Sequence, residues 1–229
     1  TLMFEIDHPS SRAAFLGKVG EMEEKIFIKI KDEIVKAVPE IDVDSTSAEG
    51  KASSMEFIHF KLLDLSKDVV LDFRQPADYI RSVSVEGKAV PYKLVNQHLL
   101  IEASYFSKGE NAIFISFRAG DMSLNRNDEF LYTLFVPDRA STAIPCFDQP
   151  NLKGRYSLTL SVPTDWTAIA NGPIQSEQVM NDKRVIVFGE TRPVSTYIFA
   201  FTAGKFKRVS QEKDGRKMTM LHRETGPGE

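Results

Sequence analysis

Residues 155–162 read "RYSLTLSV". Tyr156, Leu158, Leu160 and Val162 take every second position, with polar or small residues between them. A pleated strand turns successive side chains to opposite faces, so this run predicts a strand with one buried face and one wet face. The same period recurs along the chain. "TLMFEI" alternates Leu2, Phe4 and Ile6. "FIHFKL" puts Ile58, Phe60 and Leu62 on one side, "VVLDF" does so with Val69, Leu71 and Phe73, and "AIFISF" with Ile113, Ile115 and Phe117. "RVIVF", "TYIFAF" and "KMTML" follow. Each run is short and bounded by Gly, Pro, Asn, Asp or Ser, as antiparallel strands are. "SVEGKAV" and "LVNQHLLI" predict hairpins turning at Glu86-Gly87 and Asn96-Gln97, and a third turn is predicted at Asp214-Gly215. So many half-buried strands must cover one another's apolar faces, and the fold class that follows is an all-β antiparallel sandwich.

One segment breaks the period. From about Gly17 to Val38, Val19, Met22, Ile26, Ile30, Ile34 and Val38 stand nearly four apart, the stripe of an amphipathic helix stopped by Pro39. A strand through "IFIKI", where Ile26, Ile28 and Ile30 alternate, is the rival reading. Residues 40–54 are polar and Gly/Ser-containing, which predicts a mobile connection back into the sheet. The reading is one domain over 1–229 with a helical insertion at about 9–51.

Composition restricts partners. The 229 residues are 42% hydrophobic and 27% charged, with a formal net charge of −3, which gives no electrostatic reason to expect nucleic acid or an anionic membrane. No apolar run approaches the roughly 20 residues needed to span a bilayer. A single cysteine excludes an internal disulfide. The start has no basic segment followed by an apolar one, so an export signal has been removed or never existed, and a soluble chain is expected in a compartment the sequence does not name.

The cysteine sits in "IPCFDQPNL", residues 144–152. Pro150 fixes a backbone dihedral and Asp148 is expected to accept hydrogen bonds from N–H groups two residues on, so the stretch predicts a rigid turn anchored inward by Cys146 and Phe147. Asp138 and Arg139, just upstream, are expected to pair with each other on the surface or with a neighbouring domain. His8, His59, His98 and His222 are too scattered in sequence to suggest a site. His59 is placed in a sheet and His98 in a hairpin.

The stretch "FVPDRASTAIPCFDQPNLKGRYSLTLSVPTDWTAIANG" (135–172) resembles the N-terminal domain of the M1 (gluzincin) zinc aminopeptidases, which share a Pro-Cys-Phe-Asp-(Glu or Gln)-Pro turn. "RPVSTYIFAFTAGKF" (192–206) resembles a later signature of that domain, and "GENAIFISFRAGDMSLNRNDEFLYTLF" (109–135) fits the preceding segment. The resemblance covers about residues 52–225 and implies a saddle-shaped sandwich. It implies that the chemistry lies in a following catalytic domain, where His-Glu-x-x-His holds zinc and its Glu activates water. No such motif is present here, nor the Gly-x-Met-Glu-Asn segment that grips the peptide amino group. The implied partners are therefore the protein's own catalytic domain and a peptide substrate at a shared cleft, with no catalytic residue and no metal ligand in this chain.

In the family a Gln or Glu nine positions before the first proline of the turn reaches into the active site. Counting back nine from Pro145 lands on Val136, and the companion position, often Gln, is Leu134. Neither side chain accepts a hydrogen bond. Either the amine is recognised wholly by catalytic-domain carboxylates, or the loop shapes an apolar specificity pocket, or the parent is not an aminopeptidase. The first two together make Leu134, Phe135, Val136 and Pro137 the candidate substrate-facing residues. A non-catalytic M1-like scaffold is the alternative function.

Overall fold

The computed structural model describes residues 35–42 and 53–222 of the chain. In chain order the strands are β1 (Val35–Asp42), β2 (Ser53–Leu62), β3 (Val69–Asp72), β4 (Ile80–Val85), β5 (Lys88–Ala89) and β6 (Lys93–Val95). Next come β7 (His98–Ile101), β8 (Gly109–Arg118), β9 (Leu124–Arg126), β10 (Phe130–Thr133), β11 (Gly154–Tyr156) and β12 (Thr159–Pro163). The last are β13 (Thr167–Ala170), β14 (Ile174–Met180), β15 (Lys183–Phe188), β16 (Phe201–Gly204), β17 (Lys207–Lys213) and β18 (Arg216–His222).

The main sheet runs β14-β15-β12-β1-β2-β8-β4-β5, with β11 paired to β1. A four-stranded sheet, β13-β16-β10-β9, and a three-stranded sheet, β3-β7-β6, complete the body, and β17 pairs with β18. Pairing is antiparallel except that β1 runs parallel to β11 and β12. The period-two reading explains why the layers meet. Ile58, Phe60 and Leu62 of β2, Ile113, Ile115 and Phe117 of β8, and Leu160 and Val162 of β12 are all buried. They join one cluster with Val69 and Leu71 of β3, Leu99 and Ile101 of β7, and Leu131 of β10. Fully burying a side chain of the size of Leu or Phe stabilises by about 1.5–3 kcal/mol, and such layers supply most of the drive to fold. The result is the expected all-β sandwich.

Three turns predicted from sequence adopt left-handed backbone: Glu86 and Gly87 at φ 49° and 75°, Asn96 and Gln97 at 50° and 69°, and Asp214 and Gly215 at 52° and 70°. Two successive positive φ values match the twist of a tight hairpin. Asn181 and Asp182, at 49° and 60°, turn β14 into β15 in the same way.

Two local expectations are corrected. The helix proposed over 17–38 lies outside the described residues up to position 34, but Val35–Asp42 is a strand at the centre of the main sheet. Of residues 40–54, expected to be a mobile connection, 40–42 belong to that strand and Ser53 and Ser54 open β2. Pro39 does not stop a helix. It falls between the ladder to β11, which ends at Ala37, and the ladder to β12, which begins at Glu40. A residue without an N–H fits where a neighbour is changing. The remainder of the proposed insertion, 9–34 and 43–51, and the run "TLMFEI" lie outside the described residues. The second correction concerns "TYIFAF". Thr196–Ile198 is a single 3₁₀ turn, and the strand starts only at Phe201.

Candidate functional site

The turn at 144–150 is held from below by β3. Asp72 N–H donates to Cys146 O at 2.8 Å and Cys146 N–H returns to Asp72 O at 3.1 Å. The Asp72 carboxylate extends this hold. Its Oδ2 accepts Asp148 N–H at 2.9 Å and Gln149 Nε2 at 3.0 Å. Its Oδ1 lies 2.9 Å from His98 Nδ1 on β7. The three-stranded sheet is thereby tied to the turn. A glutamine at 149 suits this position because its amide donates, whereas a glutamate would set a second carboxylate against Asp72.

Asp148 is not satisfied as the sequence predicted. The residue two positions on is Pro150, which has no N–H to give. Its carboxylate instead accepts Ser141 N–H at 3.0 Å and the Thr196 hydroxyl at 2.6 Å. Ser195 Oγ donates to Pro150 O at 2.6 Å, and Gly154 and Val194 exchange two backbone bonds of 2.9 Å each. The two signatures at 135–172 and 192–206 are therefore two halves of one clasp. These side-chain bonds also explain why Thr196–Ile198 turns instead of extending. Cys146 and Phe147 point inward as expected, and Phe147 meets the Phe60 ring edge-on at 5.5 Å. Burial, reinforced by the nearby Asp148 and Asp72 carboxylates, pushes the Cys146 thiol up, which keeps it protonated and unreactive at neutral pH.

The clasp positions the segment that carries the predicted substrate-facing residues. Arg139 N–H donates to Phe135 O at 2.8 Å, closing a turn over 135–139. Ser141 is gripped on both sides, by Asp148 through its N–H and by Arg74 N–H through its carbonyl at 2.8 Å. Asp138 pairs with the Arg74 guanidinium at 3.0 Å, not with the adjacent Arg139. Gly120 lets this loop approach: a Cβ there would sit 2.0 Å from both Thr142 O and Gln75 Nε2.

The four candidate residues divide. Phe135 is buried, its ring 6.3 Å from that of Phe199, so it anchors the loop and belongs to the core. Leu134 and Val136 are 51% and 54% exposed, and Pro137 is exposed beside them. Leu134 N–H donates to Ser123 O at 2.9 Å, which brings in Met122, 71% exposed. Leu134, Val136 and Pro137 make an exposed apolar ledge on a hydrogen-bonded frame, and Met122 is exposed next to Ser123, where Leu134 bonds. Sequence reading missed Met122 and Arg74, because their place depends on pairing across strands. It also missed Glu56, although the inward period of β2, run back from Ile58, reaches it.

His59 lies in β2 and His98 in β7, as predicted. Among the described residues no group of three or more His, Cys, Asp or Glu side chains could hold a metal ion, so the residues here do not fit a zinc site. Among them, too, no helix is long and apolar enough to cross a membrane.

Comparison with known proteins agrees with this architecture. The family model of the Peptidase M1 N-terminal domain matches residues 28–198, and the chain belongs to that family. The match begins at 28, ahead of the 52 expected, in keeping with β1 being part of the sheet. The chain is 30% identical over 159 residues to "Probable aminopeptidase 2" of Sulfurisphaera tokodaii, covering 66% of this chain and 20% of that protein. It is 37% identical over 87 residues to "Aminopeptidase M1" of Arabidopsis thaliana, covering 38% of this chain and 10% of that protein. With "Leucyl aminopeptidase" of Saccharolobus solfataricus it shares 31% over 133 residues, 58% of this chain and 14% of that protein. The chain thus spans about a fifth or less of the length of these curated relatives.

Proposed function

We propose that this domain forms one wall of the substrate cleft of an M1 aminopeptidase, packing on a catalytic domain that lies elsewhere in the parent protein. The zinc ion of that class of enzyme would supply the activated water, and no residue described here takes part in that step. What this chain contributes is shape. Leu134, Val136 and Pro137 would face the first side chain of the peptide, while Phe135 anchors them and the clasp at Asp148 keeps them from yielding.

The exposure of Leu134 and Val136 on a frame fixed through Ser141 carries this reading. A loop with no side-chain acceptor cannot grip a cationic amine by itself, so it acts by excluding water and favouring apolar N-terminal residues. The test is Val136→Glu in the full-length protein, with kcat/KM measured for peptides that differ only in their first residue. A shift of preference from apolar toward basic first residues is expected, and an unchanged order of preference overturns the assignment.

The missing acceptors also favour a second reading, a non-catalytic M1-like scaffold. The remainder of the parent coding sequence separates the two: His-Glu-x-x-His with a downstream Glu supports the enzyme, and substituted ligands support the scaffold.

A further inference from the structure

Beneath the turn lies a buried carboxyl that pairs with none of the described residues. Glu56 occupies the inward position of β2 two residues before Ile58, opposite Pro39 of β1 and Ile115 of β8. It is completely buried, and among the described residues neither carboxyl oxygen has a hydrogen-bond partner. It lines a small cavity with Cys146, Phe147, Leu152, Tyr156 and Thr196. Ser54, the next inward residue, is also buried with an unpartnered hydroxyl.

Burial, not a neighbouring charge, decides the state of Glu56. Cys146 of the turn and Tyr156 of β11 line the cavity with Glu56, and the Asp148, Asp72 and Arg74 charges act on Cys146. Pro39 and Ile115, its direct neighbours on either side, are uncharged. Asp148 is already committed to Ser141 and Thr196, and the Arg74 guanidinium to Asp138. An ionised carboxylate here would be unsolvated and unpaired among the described residues, whereas the neutral acid is tolerated.

We propose that Glu56 is a proton-operated catch: the neutral acid lets the turn at 144–150 seat on β2, and loss of its proton to solvent unseats it. Through Ser141 the same event slackens the ledge at 134–137. Burial holds the Glu56 carboxyl well above its ordinary value of 4.5. The folded chain therefore binds this proton more tightly than the unfolded chain. The stabilisation is complete below that ordinary value and declines as pH rises toward the folded one.

Cys146, the chain's single cysteine, provides a built-in reporter. The experiment measures its reaction with a pyridyl disulfide on the full chain, wild type against Glu56→Gln, across a pH series. The wild-type to variant rate ratio should rise at least tenfold between about pH 5 and about pH 8, since one pKa unit of differential binding is a factor of ten. A ratio that stays flat overturns the proposal. Glu56→Met, equally unable to ionise, should match the glutamine variant. Carbon-13 titration of the wild-type Glu56 carboxyl needs no variant. A neutral acid at neutral pH in the intact fold is expected, and an ionised one overturns the proposal.

Discussion

The Thr196 hydroxyl donates to the Asp148 carboxylate at 2.6 Å across 48 positions of sequence. Asp148 accepts Ser141 N–H with its other oxygen, so one side chain joins the turn, the ledge loop and the segment before β16. Asp148→Ala should lower stability in urea unfolding by about 2–4 kcal/mol, because it leaves two buried donors unsatisfied. Thr196→Val should cost about 1 kcal/mol, and the pair should cost less than the sum, with a coupling of at least about 0.5 kcal/mol. Additive losses would mean that the contact does not hold the clasp.

Gly120 is required by distance, not by dihedral freedom. Its missing Cβ would meet backbone at Thr142 O, 2.0 Å away, and backbone cannot swing aside as the Gln75 amide can. Gly120→Ala should destabilise by about 2 kcal/mol or more, by analogy with overpacked sites. It should also increase hydrogen exchange at the amides of Ser141 and Thr142 before those of β8.

The Arg74–Asp138 pair gives the opposite expectation. Its side chains are 36% and 44% exposed, and Arg74 N–H keeps its bond to Ser141 O whatever the side chain. Exposed pairs contribute at most about 1 kcal/mol, so Arg74→Ala and Asp138→Ala should each move the thermal midpoint little. Any effect in the full-length protein should appear instead in KM, through the mobility of Val136 and Pro137.

Phe60 sets the upper end of the scale. It is buried between Phe106 and Phe147, at ring distances of 6.0 Å and 5.5 Å, and links β2 to the turn. Phe60→Ala should cost about 3–5 kcal/mol in equilibrium unfolding. A loss below about 1 kcal/mol would show that the two layers are not packed through this ring.

Strands with one wet face announce themselves, which is why Ile58 to Leu62, Ile113 to Phe117 and Tyr156 to Val162 were legible with the correct sides inward, although the last run, expected as one strand, divides into β11 and β12 at Ser157 and Leu158. Val35–Asp42 was not, because isoleucine and valine four apart satisfy both periods, and Pro39 imitates a helix stop when its reason lies in a change of neighbours. Thr196–Ile198 carries strand-forming residues whose local preference yields to hydroxyl bonds with Asp148 and Pro150. The turn was readable as rigid and inward-facing, but not the partners of Asp148, which come from positions 141 and 196. At the ledge, sequence identified the loop at 134–137. Only strand pairing could add Met122 and separate buried Phe135 from its exposed neighbours.

The ribbon of β17 and β18 hydrogen-bonds, among the described strands, only within itself, and every residue of β17 is exposed. A lone pair of strands has little holding it closed. Its tip at Asp214 and Gly215 is therefore where a protease should nick the domain first. Such a cut would leave the hydrogen bonds of the sandwich, the clasp and the ledge intact.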